Sequence, residues 1–185
     1  MQAAIDTLAE LGYGQTSFAK IAAKAGISST RLISYHFAGK AELTQAVVEH
    51  VLDAAATFMS PRIAAETGHW PKMAAYLASN MAFLRDHSAH VRAIVEITGN
   101  ARTEDGSPVV DAAAPSATDL LEKGFRDGQR DGAYRDFDPQ VMAATVRAAI
   151  DSAAVQYAAS PQLDLDAYAA ELTELFRRAM TKGRH

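Results

Sequence analysis

Apolar residues recur along this chain at spacings of three and four, the period of a helix with one buried face. In Gln2–Leu11, Ile5, Leu8 and Leu11 share a face, which predicts a short amphipathic helix stopped by Gly12-Tyr13-Gly14. Thr16 or Ser17 is placed to cap a second helix to about Lys24, with Phe18, Ile21, Ala22 and Ala25 inward. The run then reverses at Ala25-Gly26-Ile27. A tight reversal between helices calls for a positive φ, which a residue without a Cβ adopts at little cost. Ser28 follows where an N-cap is wanted, and a polar helix closes on Tyr35-His36-Phe37, with Phe37 taken as core. Ala38-Gly39 breaks the chain again. Lys40 opens a long helix whose core face is Leu43, Val47, Val51, Ala55 and Phe58, ending near Ser60-Pro61 or fraying towards Thr67-Gly68.

The later segments follow the same period. Trp70-Pro71 starts a helix to about His87, with Met73, Leu77, Met81 and Leu84 inward and Pro in the first turn. Ser88 caps the next, with Val91, Ile94, Val95 and Thr98 on one side, ending at Gly99-Asn100. Ala101–Ser116 is rich in turn residues and poor in periodicity, and reads as a mobile loop. A helix from about Ala117 to Asp131 follows. Asp138-Pro139 then starts an alanine-rich helix to about Ala159, ended by Ser160-Pro161. Asp166 opens the last helix, with Tyr168, Leu172, Leu175, Phe176 and Ala179 on one stripe. No segment alternates with the period of a strand, so the chain reads as all-α.

Composition sharpens this picture only in part. Of 185 residues, 49% are hydrophobic, enough for a substantial core, and there are no cysteines, which excludes disulfides and thiolate metal sites. The net charge of −4 argues at first against nucleic acid, but the charge is unevenly distributed. Up to Leu43, the four cations Lys20, Lys24, Arg31 and Lys40 face three acids, Asp6, Glu10 and Glu42. The acidity lies further along, and the N-terminal part is not repelled by phosphate. No apolar run approaches a bilayer-spanning length, and Gln2–Leu11, interrupted by Asp6 and Glu10, does not read as a secretory segment. A cytoplasmic protein without a membrane partner is the expectation.

The stretch Ile21–Lys40, IAAKAGISSTRLISYHFAGK, has the form of a helix-turn-helix: a packing helix, a glycine turn, then a helix bearing small polar and cationic side chains. Together with the preceding Gly-Tyr-Gly break, the YHF block and the Lys that opens a long helix, it closely resembles the N-terminal domain of the TetR family of transcriptional regulators. The resemblance covers about Ile5–Val51. Two features depart from the family pattern. Gly26 and Phe37 are eleven positions apart rather than ten, and Ile33-Ser34 stand where Leu-Tyr is usual.

The resemblance implies an N-terminal three-helix DNA-binding domain over residues 1–45, joined by a long helix to a larger helical ligand-binding and dimerisation domain over 46–185. Ser28, Ser29, Thr30 and Arg31 open the recognition helix, where side chains reach base edges. Arg31, the one cation there, can pair with guanine O6 and N7. Tyr35, His36 and Lys40 are candidate phosphate contacts, as are Thr16 and Ser17, which also cap.

For the C-terminal part, Trp70, Met73, Tyr76, Met81, Phe83, His87, Arg92, Glu96, Phe125 and Met142 supply the apolar wall with few polar groups that ligand pockets show, although such stripes also build cores. His87 and His90, three apart, lack an obvious third ligand, so no metal and no cofactor is expected. Alanines at 143, 144, 148, 149, 153, 154, 158 and 159, with the Tyr168–Ala179 stripe, suit a four-helix bundle between two subunits. The reading is a homodimeric repressor of a double-stranded DNA operator, released by a small-molecule effector. The alternative is an α-helical binding or enzymatic domain whose helix pair is only structural. No paired carboxylates, Ser-His-Asp set or phosphate loop favours an enzyme.

Overall fold

In a computed structural model, which describes residues 1–102 and 117–182, nine helices form among the described residues and no strand does. They are α1 (Gln2–Gln15), α2 (Phe18–Lys24), α3 (Arg31–His36), α4 (Lys40–Ala64), α5 (His69–Asp86), α6 (Ser88–Asn100), α7 (Ala117–Arg130), α8 (Pro139–Ala159) and α9 (Leu165–Met180). Most of the Ala101–Ser116 segment lies outside the described residues. The helices fall into two compact units. The first holds Met1–Ala54 together with α6, and the second holds Ala55–Asp86 together with α7, α8 and α9.

In the first unit α1 packs along α6 and against α2, which contacts α3. Ile5, Leu8, Ile21, Ala22, Leu43, Val47, Val48, Val51, Val91, Ala93 and Ile97 are buried. Each large aliphatic side chain taken fully from water contributes about 1.5–3 kcal/mol. Four details differ from the sequence expectation. Gly12 leaves helical geometry (φ 76°, ψ 165°), but the chain turns helical again to Gln15, so the break is a kink. Leu11, next to the kink, and Ala25, at the C-terminal cap of α2, are exposed. In α6 the buried face falls on Val91, Ala93 and Ile97, while Thr98 is exposed, a phase shift of one residue. Ser88 is the first helical residue, not the cap; His87 occupies the cap position, without a side-chain cap bond.

In the second unit α5 packs on α9 and α8, and α7 packs on α8. Its buried set includes Met73, Leu77, Met81, Phe83, Leu84, Phe125, Tyr134, Val146, Ile150, Phe176 and Met180. Asp138 caps α8 as expected, accepting from the backbone of Gln140 (2.9 Å) and Val141 (3.2 Å). For α9 the cap is Asp164, two residues before the expected Asp166. α4 continues through Pro61 to Ala64, and the Pro61 carbonyl accepts from Ala65 (3.1 Å). Of the α9 stripe, Phe176 is buried and Leu175 exposed.

Candidate nucleic-acid interface

The helix-turn-helix is built locally. Ser17 caps α2, its hydroxyl accepting from Lys20 N–H at 3.4 Å. At the other end Ile27 N–H donates to Ala22 C=O (3.0 Å) and Gly26 N–H to Ala23 C=O (3.2 Å). This paired closure of a helix C-terminus places its turn residue in the left-handed region, and Gly26 sits there at φ 68°. α4 begins equally firmly: Glu42 accepts Ala38 N–H at 2.6 Å, and Thr44 donates to Lys40 C=O at 2.6 Å.

Between these fixed ends lies α3, six residues with none buried. It is shorter than expected. Ser28 and Ser29 precede it, and Thr30, not Ser28, holds the cap position, without a side-chain bond. Ser29 Oγ accepts Arg31 N–H at 3.2 Å, a local turn that competes with helix and delays its start. Phe37, expected as core, is half-buried beyond the end of α3.

The candidate residues divide by environment. Tyr35 is 84% exposed, its ring edge-on to His36 at 5.2 Å, and Ser28, Ser29, Arg31 and His36 are also exposed. Leu32, which the sequence reading did not single out, is 58% exposed on the same helix. The Arg31 guanidinium forms no ion pair among the described residues, whereas Lys24 pairs with Glu10 on α1 at 2.6 Å. Ser17 is exposed and Thr30 half-buried. Thr16 and Lys40 face inward instead. Thr16 is buried and donates to Gly12 C=O at 2.8 Å. The Lys40 ammonium donates to Tyr13 C=O and lies 4.0 Å from the centre of the Tyr13 ring. Burial holds its pKa below the ordinary lysine range.

Of the candidate ligand contacts, His87, Arg92 and Glu96 belong to the first unit. The Glu96 carboxylate accepts Tyr13 N–H at 3.0 Å, and Arg92 Nε is buried with no hydrogen-bond partner among the described residues. His90, next to His87 (ring centres 5.4 Å apart), also stacks on His50 of α4 at 6.3 Å. No group of three side chains among the described residues is set to hold a metal ion. The other seven lie in the second unit. Met73, Met81, Phe83 and Phe125 are buried, and Trp70, Tyr76 and Met142 half-buried. Phe83 meets Phe58 at 5.7 Å, Tyr76 Oη meets Arg147 at 3.1 Å, and Phe125 packs edge-on to Tyr134 and Phe137. Phe83, Tyr76 and Phe125 therefore have packing or hydrogen-bonding roles in addition to any ligand role.

Residues 1–47 match the family model described as bacterial regulatory proteins, tetR family. A comparison with curated proteins returned no match. Among solved structures, the chain is similar to the transcriptional regulator FadR from Bacillus subtilis in complex with stearoyl-CoA. The identity is 19%, covering 100% of this chain and 97% of that one, with a TM-score of 0.83. It is similar to AibR in complex with isovaleryl coenzyme A and operator DNA (20% identity, 94% and 96% covered, TM-score 0.74). It is also similar to the ketosteroid transcriptional regulator KstR2 of Mycobacterium tuberculosis (16% identity, 98% and 93% covered, TM-score 0.76). At these identities the similarity is one of fold, over nearly the whole length. The match to the tetR family of bacterial regulatory proteins thus rests on the first 47 residues, with the glycine-turned α2–α3 pair at their centre, and the rest of the chain shares the fold of these regulators.

Proposed function

We propose that this chain is a cytoplasmic, ligand-responsive repressor that binds a palindromic operator as a homodimer and leaves it when a small molecule binds. The observation that carries this reading is α3: six residues held between two hydrogen-bonded helix ends, burying nothing, and displaying Arg31, Tyr35 and His36. A helix without a core role is free to enter a major groove. Arg31, with Ser28, Ser29 and Thr30 beside it, is the candidate base reader; Tyr35, His36 and Ser17 are the candidate phosphate contacts. We take 1–45 as the reading domain and 46–185 as the sensing and dimerising one.

Pairing of two chains is supported by α8. Val141, Ala148 and Val155 recur every seventh residue and are all exposed, as is Leu175 on α9. A seven-residue apolar repeat on an exposed helix is the seam of a helix bundle. A C2 dimer sets two copies of α3 about 34–36 Å apart, one turn of DNA, so small displacements of α4 change the fit. An effector acts only by binding one of the two states more tightly. Acyl-CoA thioesters, bound by two of the similar folds, are the first effectors to test.

The test is operator selection from random DNA followed by titration against salt. A repressor selects a palindrome, and log K falls linearly with log salt by about 0.9 for each phosphate engaged. Binding without palindromic selection, or without a salt slope, overturns the reading. Arg31→Ala costs about 1–3 kcal/mol of discrimination at one base pair per half-site.

A further inference from the structure

Tyr13 is where three elements of the first unit meet. It follows Gly12, whose φ of 76° and ψ of 165° only glycine adopts readily, and this kink turns the Tyr13 N–H out of the helical ladder. Glu96 of α6 accepts that N–H at 3.0 Å, and Asn100 lies behind the same carboxylate oxygen at 3.4 Å. A Cβ on Gly12 would lie 3.0 Å from Glu96 Oε2, so the glycine also makes room for the carboxylate. The carbonyl of Tyr13 accepts the Lys40 ammonium, which rests over the Tyr13 ring. Lys40 is the first residue of α4 and follows the end of α3 by four positions. Thr16 closes the kink by donating to Gly12 C=O.

We propose that the backbone of Tyr13 is a lock between α6 and the start of α4, and that Glu96 and Lys40 serve DNA binding as positioning residues through it. Glu96 is thus not an effector ligand, nor Lys40 a phosphate contact. The proposal rests on the operator-binding function above. The chemistry supports the assignment on both sides. A carboxylate accepting a backbone N–H makes a charge-assisted bond. An ammonium placed against a carbonyl and an aromatic face has given up part of its hydration, so taking it to a phosphate means breaking two contacts first. The lock engages the N–H and the C=O of one residue, so α6 and α4 are coupled through it without touching DNA.

The experiment uses the full chain, its selected operator and four variants: Glu96→Ala, Glu96→Gln, Lys40→Met and the Ala/Met double. Melting curves confirm that each is folded at the assay temperature. Amide exchange of Tyr13 in the free protein is read by NMR. Glu96→Ala speeds this exchange at least tenfold, while Glu96→Gln, which keeps an acceptor oxygen, restores most of the protection. In operator binding, Glu96→Ala and Lys40→Met each lose about tenfold, with the salt slope unchanged. The double variant is no worse than the poorer single one, because both break one device.

Three outcomes overturn the lock: Tyr13 exchange indifferent to Glu96→Ala, losses that multiply in the double variant, or a slope flattened by about 0.9 in Lys40→Met. The last would place Lys40 on a phosphate. If the unaltered chain binds no operator, the repressor reading fails, and the exchange measurement still decides the lock.

Discussion

Both compact units have a buried apolar core, and beyond it each has a region fixed by different means. Around Gly12 and Tyr13 the first unit relies on directed polar contacts: one carboxylate, one ammonium and one hydroxyl, each on a backbone atom. The second unit relies on shape. Phe125, Tyr134 and Phe137 pack against one another with ring centres 5.8–6.2 Å apart, and His69 joins at 6.0 Å from Tyr134. The Tyr134 ring fits only because Gly128 lacks a side chain; a Cβ there would lie 2.3 Å from it. That burial pushes the Tyr134 phenol up to about 12. Directed bonds fix an orientation with little buried mass, as suits a unit that must present α3 accurately. Interlocked rings and aliphatics supply stability and tolerate little change in volume. Substitutions in the second unit should therefore register mainly in melting, and those around Tyr13 mainly in DNA binding.

The largest effect expected is at Phe176, 2% exposed on α9. Phe176→Ala removes a ring that the surroundings cannot refill and costs about 3–5 kcal/mol in urea unfolding. Two glycine substitutions then put the contrast to a direct test. Gly128→Ala forces the Tyr134 ring aside and destabilises by about 1–3 kcal/mol, with operator affinity unchanged once the folded fraction is accounted for. Gly12→Ala strains a backbone conformation by about 1–3 kcal/mol, but loses operator affinity beyond what its stability explains. Equal behaviour of the two would erase the distinction between the units.

Much of this was legible in the sequence where the signal is local. Gly26 announced its turn because the need for positive φ is set by its immediate neighbours, and Asp138-Pro139 announced α8 because cap and first-turn proline are adjacent. The phase of α6 was missed by one residue, since Ile97 and Thr98 both fit a loose apolar stripe until α1 selects one. The start of α3 was missed because Ser29 turns its hydroxyl onto the backbone, an option that a cap signal does not distinguish. Glu96 read as a polar group in an apolar wall; its partner lies 83 residues away, and no spacing rule reaches that far. Lys40 read as a phosphate contact from its place at a helix start, and its bond to Tyr13, 27 residues earlier, is likewise beyond the reach of spacing.

Caps offer a finer comparison. Asp138 accepts two backbone N–H groups at 2.9 and 3.2 Å, whereas Ser17 accepts one at 3.4 Å. Asp138→Ala should cost about 1 kcal/mol of stability and Ser17→Ala about 0.5 kcal/mol, the low end of the range for caps. If Ser17 also touches phosphate, its alanine variant loses operator affinity out of proportion to that small change, with a flatter salt slope. A loss in melting alone makes it a cap only.

The smallest effect expected is one of pH, and it belongs to the first unit. His90 of α6 is half-buried, and its pKa lies below 6.5, first because of burial and then because the rings of His87 and His50 stand beside it; Asp6 of α1 works the other way. Asp6 is held by Gln2 at 2.9 Å. With a folded pKa depressed, the unfolded chain binds the proton more readily. The contribution of His90 is therefore complete above pH 6.5 and is lost as pH falls from there towards the folded value. His90→Gln removes the titrating group and keeps a polar side chain of similar reach. Melting compared at pH 7.5 and 5.5 should show a smaller acid loss in the variant than in the unaltered chain. An equal loss would mean that the cluster leaves His90 as easy to protonate folded as unfolded.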